Sequence, residues 1–335
     1  RCYNRIQRWQ TGYEYPHSAV KYLLRREERG YPLFPFKHWR FDTLMEFMQQ
    51  MVNGLSLGAI YALIALGYTM VYGIIKLINF AHGEIYMIGA FIGLIVGQSC
   101  ELPFSLILAI AMAGSSVCGV VLEGIAYRPL RDAPRLAALI SAIGMSIFLE
   151  NLALVIMGPQ TRAFLIPFEV KQFRVGTLCV NSFDLLILVT CVVLMIGLYL
   201  LVHRTKIGKA MRAVAQDKDT ARLMGIDVNH VIRVTFAVGS ALAGAAGVLV
   251  GMNFNAVDPT MGTMPGLKGF VAAVLGGIGN IPGAVAGGVV LGVAEVMGVA
   301  LLRSEWRDAI AFAILAIVLL VKPSGILGEN LQEKV

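Results

Sequence analysis

Residues Met51–Gly73 read MVNGLSLGAIYALIALGYTMVYG, an apolar run that contains no acidic or basic side chain. An α-helix needs about 20 apolar residues to cross the hydrocarbon core of a membrane, so this run is long enough to span it. Further long runs follow at Leu77–Gly97, Pro103–Tyr127, Ala137–Met157, Phe183–His203 and Val231–Met252. Three more runs lie at Leu267–Gly279, Ala284–Leu302 and Asp308–Val321, and the first and last of these are short. We therefore predict an all-α, polytopic helical bundle with about eight or nine membrane segments, some of them broken.

The composition supports a membrane protein and excludes several other classes. Hydrophobic residues make up 57% of the 335 residues and charged residues 15%, whereas soluble domains carry about 25% charged residues. The five cysteines show no C-x-x-C spacing, so we expect neither a metal site nor a cofactor. No basic stripe falls on a folded soluble module, so nucleic acid is not an expected partner.

Residues 1–44 differ from the rest of the chain and form a basic, aromatic leader. They contain nine basic and four acidic residues, a net charge of +5, and no apolar run. We expect translation to start at or near Met45 and the leader to be an extension that is not part of the native protein. The alternative is a cytosolic tail that binds anionic lipid.

The loops rich in lysine and arginine predict the direction of the segments, because such loops stay in the cytoplasm. Arg128, Arg131 and Arg135 follow the third segment, and a second basic loop at 204–222 follows the fifth. Two crossings separate the two loops, so the assignments agree. The same count puts residues before Met51 outside, where a leader of +5 would be unusual. Either the leader is not native or Leu77–Gly97 is not one plain crossing helix.

Small residues suggest how the helices pack and where one of them breaks. Glycines recur every four residues, as at Gly89 and Gly93, and such stripes let helices approach closely in lipid. A cluster that combines glycines with a proline destabilises a helix and predicts a break. The candidate residues of this break are Gly276, Gly277, Gly279 and Pro282.

The loop at about 204–230 is the most informative polar segment. Its first half has the apolar spacing of a short amphipathic helix. Asp217 or Asp219 can cap a second short helix, Gly225 can end it, and Asp227 can cap the next helix. This punctuation favours a compact docking element for a cytosolic partner over an ordinary solvated loop.

Several long motifs resemble one transporter family. They are GYTMVYGIIKLINFAHGEIYMIGA (Gly67–Ala90), EGIAYRP (Glu123–Pro129), ALISAIGMSIFLEN (Ala138–Asn151), AVLGGIGNIPGAVAGG (Ala273–Gly288) and PSGILG (Pro323–Gly328). These motifs are similar to those of the permeases of branched-chain amino-acid ABC importers, of the LivH type. The similarity runs from about Met45 to Val335, which would be one permease domain, and the leader has no counterpart in it.

The resemblance implies a multisubunit importer in the bacterial inner membrane. An extracytoplasmic protein would deliver leucine, isoleucine or valine to a heterodimer of this chain and a second, homologous permease. Two cytosolic ATP-binding subunits would dock on the 204–230 loop and drive alternating access. The chain has no phosphate-binding G-x-x-x-x-G-K-[ST] motif, so we expect no enzymatic activity of its own. The resemblance assigns the ATPase contact to Ala215, Gln216, Asp217, Ala221, Gly225 and Ile226, although Ala215–Asp217 departs from the usual acidic residue followed by two alanines.

Charged side chains at membrane depth cost roughly 2.5–3.5 kcal/mol each on insertion scales, so each charged or polar residue there needs a reason. The candidates for the pathway or for helix breaks are Asn79, His82, Glu84, Glu150, Asn151 and Glu295. His82 and Glu84 could form a proton relay, but mutual hydrogen bonding at a helix break is the interpretation we favour. Glu150 and Asn151 could meet the binding protein or cap a helix. Glu295 is the best candidate for a polar group that faces a cavity or a subunit.

Two further functions compete with branched-chain amino-acid import. A permease for urea or short amides would share the fold, and an ion-coupled secondary transporter would work without an ATPase. A branched aliphatic substrate offers charged residues only its zwitterionic head group, so the pathway can lack a strong site and leave selectivity to the binding protein.

Glu123, near the inner surface, is expected to pair with Arg128 or to reach the surface itself.

Overall fold

Long apolar helices form the body of the protein. The computed structural model describes residues 44–100, 102–131, 133–164, 172–175 and 178–328. Its α-helices are α1 (Leu44–Ile75), α2 (His82–Ser99), α3 (Phe104–Leu122), α4 (Arg135–Met157), α5 (Ser182–Arg204), α6 (Lys206–Gln216), α7 (Lys218–Leu223), α8 (Val228–Phe254), α9 (Thr263–Gly276), α10 (Ile281–Leu301) and α11 (Arg307–Val321). The expectations for residues 1–43 of the leader lie outside the described residues.

The helical membrane bundle is confirmed, but the predicted number of segments was too high. Six helices in the described part of the chain are long and apolar enough to cross a membrane, namely α1, α3, α4, α5, α8 and α10. The runs at Leu77, Leu267 and Asp308 form the shorter helices α2, α9 and α11. At 1.5 Å per residue, the 14 residues of α9 cover about 21 Å of a hydrocarbon core about 30 Å thick.

The loop between α4 and α5 contains a short antiparallel hairpin. Strand β1 (Gln172–Val175) pairs with β2 (Leu178–Asn181), with Gln172 opposite Asn181. The hairpin adds a small element to the predicted helical fold and leaves the bundle unchanged.

Helices α1 and α8 form the centre of the bundle, whereas α4 lies at its periphery. Every side chain from Ala59 to Leu66 of α1 is at most 5% exposed. On α4, by contrast, Leu136, Ile140 and Val155 are more than 60% exposed. These exposed apolar side chains suit contact with lipid, which explains why α4 needs no amphipathic pattern.

Glycines bring α1 and α10 into antiparallel contact. A Cβ added at Gly292 would lie 2.3 Å from Gly58 Cα, and one at Gly288 would lie 2.4 Å from the nitrogen of Ala62. Gly58 of α1 contacts Gly292, whereas the later residue Ala62 contacts the earlier residue Gly288, so the two helices run in opposite directions. The backbones touch because neither glycine carries a side chain.

Helix α8 packs on α2 and α3 in the same manner. A Cβ at Gly89 of α2 would lie 2.3 Å from Gly244 Cα, and one at Gly247 would lie 2.1 Å from the carbonyl oxygen of Tyr86. The predicted glycine stripe of α2 is therefore a packing surface for α8.

Contacts between loops define the two ends of the bundle. Arg131 donates a hydrogen bond to Asn229, so the loop after α3 and the start of α8 lie at one end. Arg162 pairs with Val257 in a single β-bridge at the opposite end. These placements agree with the loop pairs that the positive charges predict to share a side of the membrane.

Candidate functional site

The segment between α5 and α8 folds into two short helices, and the residues that cap and end them are among those predicted. Asp217 caps α7 by accepting hydrogen bonds from the backbone N–H groups of Asp219 (2.8 Å) and Thr220 (3.1 Å). Gly225 has a φ of +80°, and Asp227 caps α8. We call residues 206–227 the coupling loop.

Hydrogen bonds to Asp217 also set its protonation. The backbone N–H and the hydroxyl group of Thr220, together with the N–H of Asp219, hold the pKa of Asp217 below its ordinary value. The carboxylate is therefore ionised at neutral pH, which is the state that caps a helix best.

The predicted ATPase contacts divide into buried and exposed residues. Ala221 is buried, Ala215 and Ile226 are half-buried, and Gln216, Asp217 and Gly225 are exposed. The two most exposed apolar side chains of the loop are not among the contacts predicted from the sequence. Leu223 is 88% exposed and Met224 is 78% exposed, directly before Gly225. Two large apolar residues at the end of a charged loop were the signal that could have found them.

The coupling loop contacts the end of α1 through Lys218. Lys218 Nζ donates to the carbonyl oxygen of Ile75, the last residue of α1, at 3.4 Å. Burial lowers the pKa of Lys218, and the nearby positive charges of Arg131, Arg222 and Lys76 lower it further. A movement of α7 would therefore act directly on the end of α1.

Arg131 joins the end of α3 to the start of α8. It pairs with Glu123, which is 1% exposed, and also with Asn229. Our prediction of Arg128 as the partner of Glu123 was wrong, because residues 123–127 form a π-helical turn and 128–130 a 3₁₀ turn, and Arg131 emerges beyond both.

Glu295 lies in a buried network of charges in the bundle. Its side chain is 0% exposed, and its Oε1 accepts from Lys268 Nζ at 3.1 Å and lies 3.2 Å from Arg307 Nε. Tyr61 donates its hydroxyl hydrogen to Oε2 at 3.0 Å, and Lys268 also pairs with Asp308 at 2.7 Å. We call these five residues the ion-pair network. It joins α1, α9, α10 and α11, and its two positive and two negative charges balance.

Asn79, His82 and Glu84 lie at the irregular start of α2 and are all nearly fully buried. Asn79 Oδ1 accepts a hydrogen bond from the hydroxyl group of Tyr127 at 3.0 Å. The His82 ring lies edge-on to Tyr68 with 4.7 Å between the ring centroids. No hydrogen bond between side chains joins the three residues to one another within the described part of the chain.

Glu150 and Asn151 are placed differently although they are neighbours on α4. Glu150 is half-buried and close enough to Glu84 for electrostatic interaction. Asn151 is exposed and donates to the carbonyl oxygen of Ile147 in its own helix at 2.8 Å. The structure therefore brings Glu150, but not Asn151, near the start of α2.

The glycine cluster lies where α9 ends and α10 begins. Gly277 and Gly279 have φ values of +104° and +98°, and Pro282 lies in the first turn of α10. Gly276 packs against Gly283, and a Cβ on Gly276 would lie 2.0 Å from the carbonyl oxygen of Gly283. The left-handed backbone at two positions explains why glycine is needed there.

Comparison with known proteins identifies the family. Residues 50–319 match the family described as the permease component of branched-chain amino acid transport systems. The chain is 44% identical over 304 residues to the high-affinity branched-chain amino acid transport system permease protein BraD of Pseudomonas aeruginosa, a match that covers 87% of this chain and 99% of BraD. It is also 44% identical over 307 residues to the corresponding permease LivH of Escherichia coli K12, covering 88% of this chain and 99% of LivH. The chain therefore belongs to the family of permease components of branched-chain amino acid transport systems.

Proposed function

We propose that this permease is the transport subunit of an ATP-driven, high-affinity importer for leucine, isoleucine and valine in the bacterial inner membrane. The observation that carries this proposal is the match at 44% identity over almost the whole length of two high-affinity branched-chain amino acid permeases. The helices that can span a membrane support the same assignment.

The partners follow from the kind of transport system to which the relatives belong. A second, homologous permease would complete the pathway as a heterodimer, and an extracytoplasmic binding protein would deliver the amino acid. Two cytosolic subunits would bind and hydrolyse ATP, so this chain would act in transport without being an enzyme itself. The permease domain would comprise residues 45–335.

The coupling loop is the surface that suits the ATP-binding subunits. Leu223 and Met224 present two exposed apolar side chains at the end of α7, and such side chains favour burial against a partner. Lys218 connects the same helix to the end of α1. Closure of the ATPase pair would shift α7, and the shift would reach α1 and switch the pathway between inward and outward access.

A double substitution at the apolar end of α7 tests the docking of the ATPases. Leu223→Ser with Met224→Ser would leave the membrane helices intact but would remove the apolar contact. We expect roughly tenfold less ATPase subunit to co-purify with this variant than with the wild type. Leu302→Ser, at the opposite end of the bundle and 51% exposed, is the matched control. Equal co-purification in all three proteins would show that the ATPases dock elsewhere.

Substrate competition separates the amino-acid importer from the permease for urea or short amides. Excess isoleucine or valine should suppress uptake of labelled leucine, whereas excess urea or acetamide should leave it unchanged. Suppression by urea would favour the alternative substrate class.

A further inference from the structure

Two helices begin inside the bundle, and their first turns face each other. A Cβ added at Gly83 of α2 would lie 2.4 Å from the carbonyl oxygen of Gly262, the residue before α9. The first turn of α9 also touches α2, because a Cβ at Gly266 would lie 2.9 Å from Gly83 Cα. We call this contact between the two N-termini the α2–α9 junction.

Neither of these N-termini is capped by a side chain. The residues at the cap positions are Ala81 and Gly262, and no side-chain hydrogen bond caps either helix. Backbone N–H groups of a first turn carry partial positive charge. Backbone carbonyl oxygens of the preceding residues already accept from the N–H groups of His82 and Thr263. Because Pro265 has no N–H, the groups left without a backbone partner in the described part of the chain are those of Gly83, Glu84 and Met264. By contrast, Asn280 caps α10 through its side chain. The junction therefore gathers positive potential of two helices at a buried place.

Glu84 lies at this junction with half of its carboxylate unpaired. Its Oε1 accepts from Ser146 Oγ at 3.3 Å, but its Oε2 has no hydrogen-bond partner although the residue is 1% exposed. Oε2 points at the start of α9, since it lies 2.9 Å from the position of a Cβ on Gly262. None of the ion pairs among the described residues includes Glu84 or the nearby Glu150.

Comparison with Glu295 shows that Glu84 lacks the cationic partners that a buried carboxylate usually has. Glu295 is equally buried, but two cations and one hydroxyl group surround it. A buried carboxylate without a cation is costly, and polar groups of this kind at membrane depth mark substrate or ion pathways.

An apolar crevice adjoins the junction through Tyr68. The ring of Tyr68 contacts His82 on one side and Phe270 on the other, with 6.0 Å between the centroids of Tyr68 and Phe270. Beyond these rings the crevice continues towards the turn between α9 and α10, lined by Tyr72, Ile78, Ala273 and Ile278. Its lining carries no charge, but the crevice has no room for a water molecule in this structure, so it must widen to admit a branched aliphatic group.

We propose that the α2–α9 junction is a transient subsite of the translocation pathway that binds the head group of a zwitterionic aliphatic amino acid. The carboxylate of Glu84 pairs with the ammonium group of the substrate, and the N–H groups of Gly83, Glu84 and Met264 bind its carboxylate. The aliphatic side chain enters the crevice beside Tyr68. This inference rests on the proposed function, and it assigns the pathway a recognition step of its own.

The chemistry of the site matches the two charges of the head group. Half-helix N-termini bind anionic groups of substrates at membrane depth, and a buried carboxylate supplies the counter-charge for an ammonium group. Urea has neither charge, and a fatty acid lacks the ammonium group. The subsite therefore discriminates by charge as well as by shape.

The test compares transport with ATP hydrolysis in the complete importer, reconstituted in liposomes. For Glu84→Gln the quantity measured is leucine transported per ATP hydrolysed, with hydrolysis stimulated by the leucine-loaded binding protein followed in the same liposomes. Leucine uptake per ATP hydrolysed should fall roughly tenfold or more, because a charged hydrogen bond is lost. Glu305→Gln changes an exposed glutamate in the 3₁₀ turn before α11; this variant is the matched control and should transport normally.

The outcomes separate this inference from the proposed function. If Glu84→Gln transports leucine like the wild type, the subsite is wrong while the proposed function stands. If the wild type itself shows no ATP-dependent leucine uptake, the proposed function fails first. If Glu84→Gln fails to assemble, the test uses the wild-type permease complex without the binding protein. The affinity of that complex for leucine is compared with its affinity for two leucine analogues. Leucine should then bind at least roughly tenfold more tightly than 4-methylpentanoate and isopentylamine, each of which lacks one charge, and equal binding would overturn the subsite.

Discussion

At the scale of single residues, the buried charges of the protein lie in two kinds of surroundings, one with opposite charges and one without. In the ion-pair network each charge has an opposite charge within 3.2 Å, which offsets the loss of hydration. At the α2–α9 junction Glu84 has only one neutral partner. A fully paired group stabilises a fold, whereas an unpaired one is available to a ligand, so the two glutamates are expected to respond differently to the same substitution.

Glu295→Gln should weaken the fold more than it changes substrate range. The substitution leaves Arg307 without its buried counter-charge and weakens the attraction that holds Lys268. We expect a loss of stability of about 1–3 kcal/mol, because hydrogen bonds to a buried charge are lost, whereas Lys268 keeps Asp308 and Arg307 is 42% exposed. Thermal unfolding followed by loss of the monodisperse peak in size-exclusion chromatography measures it. Glu305→Gln should unfold like the wild type, and equal unfolding of Glu295→Gln would contradict the stabilising role of the network.

Asp217→Ala should loosen α7, whereas Asp217→Asn should largely preserve it. Alanine removes the side-chain oxygen that accepts from two backbone N–H groups, whereas asparagine retains one such acceptor oxygen. Hydrogen exchange of the amides at 218–224 should therefore be faster in the alanine variant. Since the folded pKa of Asp217 lies below its ordinary value of 3.8, the stabilisation is complete above that pH and is lost as the pH falls through the folded pKa. Fast exchange in the wild type at neutral pH would contradict the cap.

Single residues also show what the sequence can and cannot predict. The cost of charge in a membrane was enough to select Glu84 and Glu295 from the sequence. It was not enough to tell them apart, because their partners Ser146, Lys268 and Arg307 lie on other helices. Pairing across helices depends on packing, and packing has no signature within a single apolar run.

At the scale of elements, glycine contacts hold the long helices together and the short helices carry the irregular features. The starts and ends of the short helices in the coupling loop were predictable because capping residues act within one turn of the chain. The starting points of α2 and α9 were not, because hydropathy marks apolar residues without showing where a helix begins. For this reason the sequence suggested a span from Leu77, whereas α2 begins at His82.

Gly292→Ala should separate α1 from α10. The added Cβ would lie 2.3 Å from backbone atoms of Gly58, so the two helices must shift apart. We expect a loss of stability of about 1–3 kcal/mol, the usual range for overpacking. Gly144→Ala on α4 is the matched control, because nothing lies within 4 Å of its added Cβ. Equal thermal stability of the two variants would show that the α1–α10 contact is looser than described.

At the scale of the whole molecule, the bundle connects the proposed docking surface at one end with the proposed subsite in its interior. The coupling loop touches the end of α1 through Lys218, and α1 carries Tyr68 to the α2–α9 junction and Tyr61 to the ion-pair network. A shift of α1 would therefore reach both buried sites at once. In the proposed importer, this connection would give ATP hydrolysis in a partner a physical route to the substrate pathway.

Uptake of labelled leucine into vesicles tests the account most directly. The vesicles contain this chain, the second permease, the ATPase pair and the binding protein, and uptake is measured with and without ATP and with ionophores that collapse ion gradients. We predict uptake that requires ATP, requires every partner and survives the ionophores. Uptake by this chain alone, driven by a proton or sodium gradient, would contradict the account and would make His82 and Glu84 the centre of an ion-coupled mechanism.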